Sequence, residues 1–432
     1  MRELALGIDF GTSGVRIALL DRAGEPLHEQ GIPYPGAFED PEAWREGLFQ
    51  LLLQVPLALR QDVRAVALAG TSGTLLLCQH DGRLLPGVLG QALPYHQACG
   101  AQLPEVRRLL GGSGAHPAGQ ASGSLARALS LLEQWEHTHP APPLNALLIR
   151  HQADWVMGWL LGNWRWGEEG NNLRLGWDLT NQRWLGSLAE APWFSALPDV
   201  VPSGSVLGPL APEVAAALGL PIDCQVVAGT TDANAAVLAA YPALDDGITV
   251  LGSTLVLKQF VPQPIQGVGL SCHRVNHRWL VGGASNTGAA LLNRYFNPAM
   301  LEELSRQMDP QLSSGLQLRP LLGRGERFPV DDPQLEPILE PRPVSDARFL
   351  QGLLEGITAI EKQGWQRLHE LGAPPIRRII TLGGGARNPQ WRLLRQRVLG
   401  LPILNRPHLS AARGMAFLAQ GKMGATSPLP ER

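Results

Sequence analysis

The segment Asp9-Phe10-Gly11-Thr12-Ser13-Gly14 stands between two apolar runs, and its residue types suit phosphate binding. Glycines let a turn tighten until backbone N–H groups converge on phosphate oxygens. Thr12 and Ser13 add hydroxyl donors, and the Asp9 carboxylate can hold Mg²⁺ against the phosphates, directly or through water. A plain glycine-rich hairpin turn has the same composition, and no GxxxxGK[ST] loop occurs in the chain. The second candidate is Gly229-Thr230-Thr231-Asp232-Ala233. Asp232 falls where a strand gives way to a helix, so it can cap that helix. It can equally take the proton from a sugar hydroxyl as that oxygen attacks the γ-phosphate of ATP, and its neighbours favour this role.

Three further segments extend the pattern. Gly252-Ser253-Thr254 lies between apolar runs as the first turn does, and Gly252 and Ser253 could donate to terminal phosphates from a second domain. Gly383-Gly384-Gly385-Ala386-Arg387-Asn388 follows an apolar strand and precedes a helix, where bare backbone at Gly384 and Gly385 would let a purine and ribose approach closely; any permissive turn from strand to helix has the same composition. Asn388 also fits a helix cap. Ala69-Gly70-Thr71-Ser72-Gly73-Thr74 ends a strand, which is where sites are commonly built; Ser72 could bond sugar hydroxyls, and a plain small-residue turn has the same composition. Gln97, Gln152 and Asp154 read as surface or helix-capping residues, and His96 as exposed or satisfied within a core.

These segments need elements to hold them. Leu4–Asp9, Val15–Leu20 and a third extended piece after Asp21-Arg22-Ala23-Gly24 form three strands joined by tight turns. A helix from Pro41 to Val55 and a buried strand Val63–Ala69 follow. The order β-β-β-α-β is an actin-like (ribonuclease-H-like) layout. A related pattern recurs later: a strand Gln225–Gly229, a small-residue helix Ala233–Ala240, paired strands around Gly252, and a hairpin tip at Val275–Trp279. Helices are expected at Ala289–Phe296, Phe349–Leu371 and Pro389–Leu399, with a strand at Arg378–Leu382. The fold expected is α/β, two actin-like domains flanking a central nucleotide cleft. The first comprises 1–239 plus 410–432 and the second 240–409. Gly111-Gly112-Ser113-Gly114 and Pro140-Ala141-Pro142-Pro143 read as loops, and seven of the twelve tryptophans, from Trp155 to Trp193, read as packing.

Bulk properties narrow the function. A chain of 432 residues exceeds one ordinary core. With 44% hydrophobic and 17% charged residues it is a folded rather than a disordered composition. A net charge of -2 argues against a duplex nucleic-acid partner. Cys78, Cys99, Cys224 and Cys272 are scattered, which suits neither a zinc site nor a disulfide framework. No run reaches the roughly 18 apolar residues of a membrane span. The expectation is a cytoplasmic protein, a monomer or homodimer, without a membrane or nucleic-acid partner.

Together the motifs resemble the FGGY carbohydrate kinase family: DFGTSG at 9–14, GTSGT at 70–74, AGTTDA at 228–233, LGST at 251–254, GGASN at 282–286 and GGGARN at 383–388. GTSGTLLLC (70–78), QADW (152–155) and GERFP (325–329) are similar to the short D-ribulose kinase, xylulokinase-like members of photosynthetic lineages. The resemblance implies MgATP and an open-chain ketopentose as substrates, D-ribulose first and D-xylulose as the alternative. It puts the catalytic aspartate at Asp232, which also meets the substrate, and the sugar loop at Ser72. The first phosphate loop falls on Asp9, Gly11, Thr12 and Ser13, the second on Gly252 and Ser253, and the adenosine motif on Gly384, Gly385 and Asn388. It also implies that the helix Ser410–Gln420 packs back onto the first domain. Two departures weaken a xylulose assignment. Thr71-Ser72-Gly73 stands where xylulokinases have Met-His-Gly, and Pro94-Tyr95-His96-Gln97 replaces a Trp-x-Asp-x-Arg region. An actin- or heat-shock-70-like nucleotide switch with basal ATPase activity is the reading of another class.

Overall fold

Strand β1 (Leu4–Phe10) is apolar along its length and buried throughout. It pairs antiparallel with β2 (Gly14–Leu20) and parallel with β4 (Val63–Gly70), while β2 pairs antiparallel with β3 (Pro26–Pro33). The computed structural model describes residues 3–112, 116–138, 147–421 and 423. The expected loop residues Ser113-Gly114 and Pro140–Pro143, and the end of the expected first domain from 424 to 432, lie outside them. The sheet continues through β6 (Gln225–Thr231), parallel to β4, and ends on β5 (Val206–Pro209), antiparallel to β6. Its order is therefore β5-β6-β4-β1-β2-β3, the ribonuclease-H-like arrangement with one added edge strand.

The chain divides into two compact units. One runs to Ala239 and takes in Arg274–His277 and the chain from Ser410; the other comprises Ala240–His273 and Arg278–Leu409. The second unit holds its own sheet. There β7 (Asp246–Leu251) pairs antiparallel with β8 (Leu255–Val261), and β8 with β10 (Arg278–Ala284), with β9 (Leu270–Val275) on the edge. On the other side of β7, β11 (Arg378–Leu382) and β12 (Ile403–Asn405) run parallel. Besides one edge strand each, both sheets thus have three antiparallel strands and two parallel ones in the same order, which is the duplicated actin-like fold read from the motifs.

Helices complete each layer. In the first unit α1 (Pro41–Leu53) is capped by Asp40, has Pro at its first position, and buries Trp44, Leu48, Leu51 and Leu52. The helix Ala411–Gln420 is pressed onto β1. A Cβ on Gly7 would lie 1.9 Å from the Ala412 carbonyl oxygen, and Ala412 and Ala416 share a core with Ala18 and Leu20. The expected return of the C-terminal helix to the first domain is present. In the second unit the helix Asp346–Glu370 buries Phe349, Leu353, Ile357 and Trp365 against the sheet. The helix expected at Ala289–Phe296 stops at Leu292, and after a turn Asn297 caps the next one by accepting from the Met300 N–H.

The tryptophan-rich segment is packing. Trp155 meets Trp44 edge-on with ring centroids 6.2 Å apart and donates to the Gly82 carbonyl at 2.9 Å. Trp164 donates to the Trp155 carbonyl at 3.0 Å. Among the described residues no helix is long and apolar enough to cross a membrane.

Candidate active site

Parallel pairing in the first unit brings three strand ends level: Phe10 is opposite Gly70, and Gly70 is opposite Thr231. Open α/β sheets present loops and helix starts at such carboxyl ends. The phosphate-like turn leaves β1, the Ser72 turn leaves β4, and Asp232 follows β6. The three segments singled out in this half of the sequence therefore share one edge of one sheet.

Asp9 is the last residue but one of β1 and only 5% exposed. Its Oδ2 accepts from Arg16 at 3.4 Å, while Oδ1 is buried with no hydrogen-bond partner among the described residues. Burial pushes its pKa up to about 6, the negative charge of Asp232 adds to the rise, and Arg16 opposes both. A desolvated carboxylate with an unmet acceptor suits a hard cation, whose charge would offset both burdens. The turn closes through the Gly11 N–H on the Gly14 carbonyl at 3.0 Å, and Tyr34 donates to the Gly11 carbonyl at 2.8 Å. Thr12 and Ser13 are exposed at its tip. Neither Gly11 nor Gly14 has a positive φ. Gly14 is required by close approach, since a Cβ there would come within 2.2 Å of the Ile32 carbonyl oxygen.

Asp232 opens the helix Asp232–Ala239 and accepts from the Ala233 N–H at 2.7 Å. It is partly exposed while its neighbours Thr231 and Asn234 are buried, so its carboxylate remains reachable.

The Ser72 turn is held from below by a residue that sequence reasoning placed elsewhere. Gln152, expected at a surface or as a cap, is fully buried. Its Oε1 accepts from the Thr71 N–H at 2.9 Å and the Thr71 hydroxyl at 2.8 Å, and its own N–H goes to the Thr74 carbonyl at 3.1 Å. The Thr71 and Thr74 hydroxyls lie 2.6 Å apart, and Gly73 takes φ +101°. With both threonines turned inward, Ser72 is left partly exposed at the crest. Asp154, likewise expected outside, is 1% exposed and accepts from the Glu168 N–H at 2.9 Å and the Asn172 amide at 3.0 Å. Gln97 and His96 are exposed, as expected. No local signal marked either burial, since both residues stand at the start of a helix, where polar side chains ordinarily cap.

In the second unit the turn Gly252-Ser253-Thr254 joins β7 to β8, with the Gly252 N–H on the Thr254 carbonyl at 3.2 Å and Ser253 exposed. The first N–H groups of the helical turn at Ala289 donate to the Gly252 and Ser253 carbonyls at 2.9 and 3.2 Å, which fixes the turn from behind. The segment beside it is tied down by Glu326, whose carboxylate accepts from Ser285 at 2.5 Å and from the Asn286 N–H at 2.7 Å.

The three glycines after β11 differ. Gly383 takes φ +83°, and Gly385 is packed, with Leu251 Cβ at 2.6 Å and the Trp391 ring at 2.9 Å from a notional Cβ. Only Gly384 faces open space. Asn388 caps the helix Pro389–Leu399 by accepting from the Trp391 N–H at 3.0 Å, and its amide donates to Ser305 at 2.8 Å. Both ends of its side chain are thus engaged, one in the helix cap and the other with Ser305.

Residues 249–421 match the C-terminal domain of the FGGY family of carbohydrate kinases. The chain is 25% identical to the xylulose kinase of Escherichia coli K12, with 99% of this chain and 92% of that protein covered. Two solved structures share the fold. The gluconate kinase from Lactobacillus acidophilus superposes with a TM-score of 0.79 at 17% identity, covering 99% of this chain and 90% of that one. The xylulose kinase from Rhodospirillum rubrum gives 0.79 at 20%, covering 99% and 91%. The chain is an ATP-dependent carbohydrate kinase whose residues 249–421 match the C-terminal domain of the FGGY family.

Proposed function

We propose that the protein transfers the γ-phosphoryl group of ATP to the primary hydroxyl of a ketopentose. The observation that carries this reading is the shared sheet edge: a reachable carboxylate at Asp232 and a buried, under-bonded carboxylate at Asp9 flank the crest of the Ser72 turn. Asp232 is the base. It takes the hydroxyl proton as the sugar oxygen bonds to the γ-phosphorus and the bond to the β,γ-bridging oxygen breaks, releasing ADP. Asp9 would hold Mg²⁺, which neutralises phosphate charge when bound. Gly11, Thr12 and Ser13 bind phosphate oxygens, and in the second unit Gly252 and Ser253 bind the terminal phosphates. Gly384, open on its outer face, admits the nucleoside, while Gly385 and Asn388 shape that loop.

D-Ribulose is the proposed pentulose, because a small hydroxyl-bearing turn stands where the family's xylulose enzymes carry Met-His-Gly. D-Xylulose is the second reading, supported by the full-length likeness to the Escherichia coli xylulose kinase. The test is ADP release across a panel of pentuloses. Strong stimulation by D-ribulose is expected. Stronger stimulation by D-xylulose would select the second reading, and hydrolysis indifferent to every sugar would overturn both.

A further inference from the structure

Arg127 is wholly buried in the first unit, and no carboxylate among the described residues pairs with it. Its guanidinium is held by backbone carbonyls alone. Nε donates to Pro94 and Gln97 at 3.0 Å each, Nη1 to Gly73 at 3.1 Å and Ser122 at 3.0 Å, and Nη2 to Tyr95. Burial and the nearby charge of Arg174 lower its pKa to about 10, so it stays charged at neutral pH. A buried cation without an anion is tolerated only where several dipoles point at it.

Those carbonyls belong to separate stretches of chain. Gly73 is in the Ser72 turn, Pro94, Tyr95 and Gln97 form the segment that crosses it, and Ser122 precedes the helix that carries Arg127. The crossing segment is tied on both sides: the Tyr95 N–H donates to the Thr74 hydroxyl at 3.2 Å, and the Tyr95 phenol lies 3.4 Å from the Thr12 hydroxyl on the phosphate turn. Tyr95 therefore spans from one turn to the other, and Arg127 grips its carbonyl.

We infer that Arg127 is a positioning residue that sets the spacing between the Ser72 turn and the phosphate turn, acting through Tyr95. This rests on the reading of the Ser72 turn as the sugar site. Arginine is needed because its planar fork carries five N–H donors, whereas lysine offers three from one point. Arg127→Lys leaves carbonyls of both segments unpaired, and the two lose their common anchor.

The experiment is steady-state kinetics of the full chain with D-ribulose and D-xylulose, comparing wild type, Arg127→Lys, Arg127→Ala and Ser72→Ala, alongside thermal melts. Arg127→Lys should raise the KM for the preferred pentulose by about tenfold or more, the size expected from unpaired buried carbonyls, with the KM for ATP nearly unchanged. Millimolar guanidinium should lower the pentulose KM of Arg127→Ala, which a general loss of packing would not do. A folded Arg127→Lys enzyme with wild-type pentulose KM overturns the inference. If neither Arg127 variant folds, Tyr95→Phe decides, since an unchanged pentulose KM there also overturns it. A raised KM in Ser72→Ala with none in Arg127→Lys sinks this inference alone, and no change in either sinks the sugar-site reading with it.

Discussion

Asp9 and Asp232 lie near enough at the ends of parallel strands for the charge on Asp232 to raise the proton affinity of Asp9. Two carboxylates kept together in this way store unfavourable energy in the absence of a ligand. Asp9 bears this repulsion on top of the cost of its burial.

Replacing Asp9 should consequently stabilise the protein while disabling it. A carboxyl whose pKa rises on folding from 3.8 to about 6 destabilises the fold above that pH. The penalty fades as pH falls through 6 and is absent below the unfolded value. Its size is at most about 3 kcal/mol. Asp9→Asn should melt higher than wild type at pH 8 without Mg²⁺, the gap closing towards pH 4, and its sugar phosphorylation should be lost. Equal melting at pH 8 would contradict the account of Asp9.

The same carboxylate should govern metal dependence. Protons and Mg²⁺ compete for Asp9, so the Mg²⁺ concentration giving half-maximal activity should climb as pH drops below about 6. Arg16 lowers the Asp9 pKa, so Arg16→Ala should move that onset to higher pH. Titrations of activity against Mg²⁺ at several pH values in both proteins check this. An onset that does not move would place the cation elsewhere.

The glycines of the nucleotide loop give a contrast between folding and binding. Gly384→Ala adds a methyl to open space and should leave the melting temperature unchanged while raising the KM for ATP. Gly385→Ala drives a methyl into Leu251 and Trp391 and should cost about 1–3 kcal/mol of stability. Gly14→Ala should be destabilising for the same reason at the Ile32 carbonyl. Thermal melts and ATP titrations of the three variants separate the effects, and the pattern fails if Gly384→Ala leaves ATP affinity untouched.

Much of this arrangement was legible because it is local. The strand–turn–strand at Leu4–Leu20, the strand before Asp232 and the strand before Gly383 each carry their own apolar runs and turn residues. Their recurrence in one order implied two sheets of one kind. Gln152 and Asp154 were not legible. Both are polar residues at the start of a helix, where capping is the ordinary expectation. Burial of Gln152 depends on Thr71, 81 positions away, which no local pattern encodes. Arg127 was hidden similarly, since its partners are backbone carbonyls that any sequence supplies. Gly14 was assigned correctly to a tight turn but for a different cause: the approach of the third strand, not the freedom of φ, demands glycine there.

The central claim is that Asp232 removes the proton from the attacking hydroxyl. The direct measurement is phosphoryl transfer from ATP to the preferred pentulose by Asp232→Asn, with nucleotide affinity measured on the same sample. The account predicts a fall in kcat of at least about 10²-fold with nucleotide affinity near wild type. Turnover at the wild-type rate would contradict it.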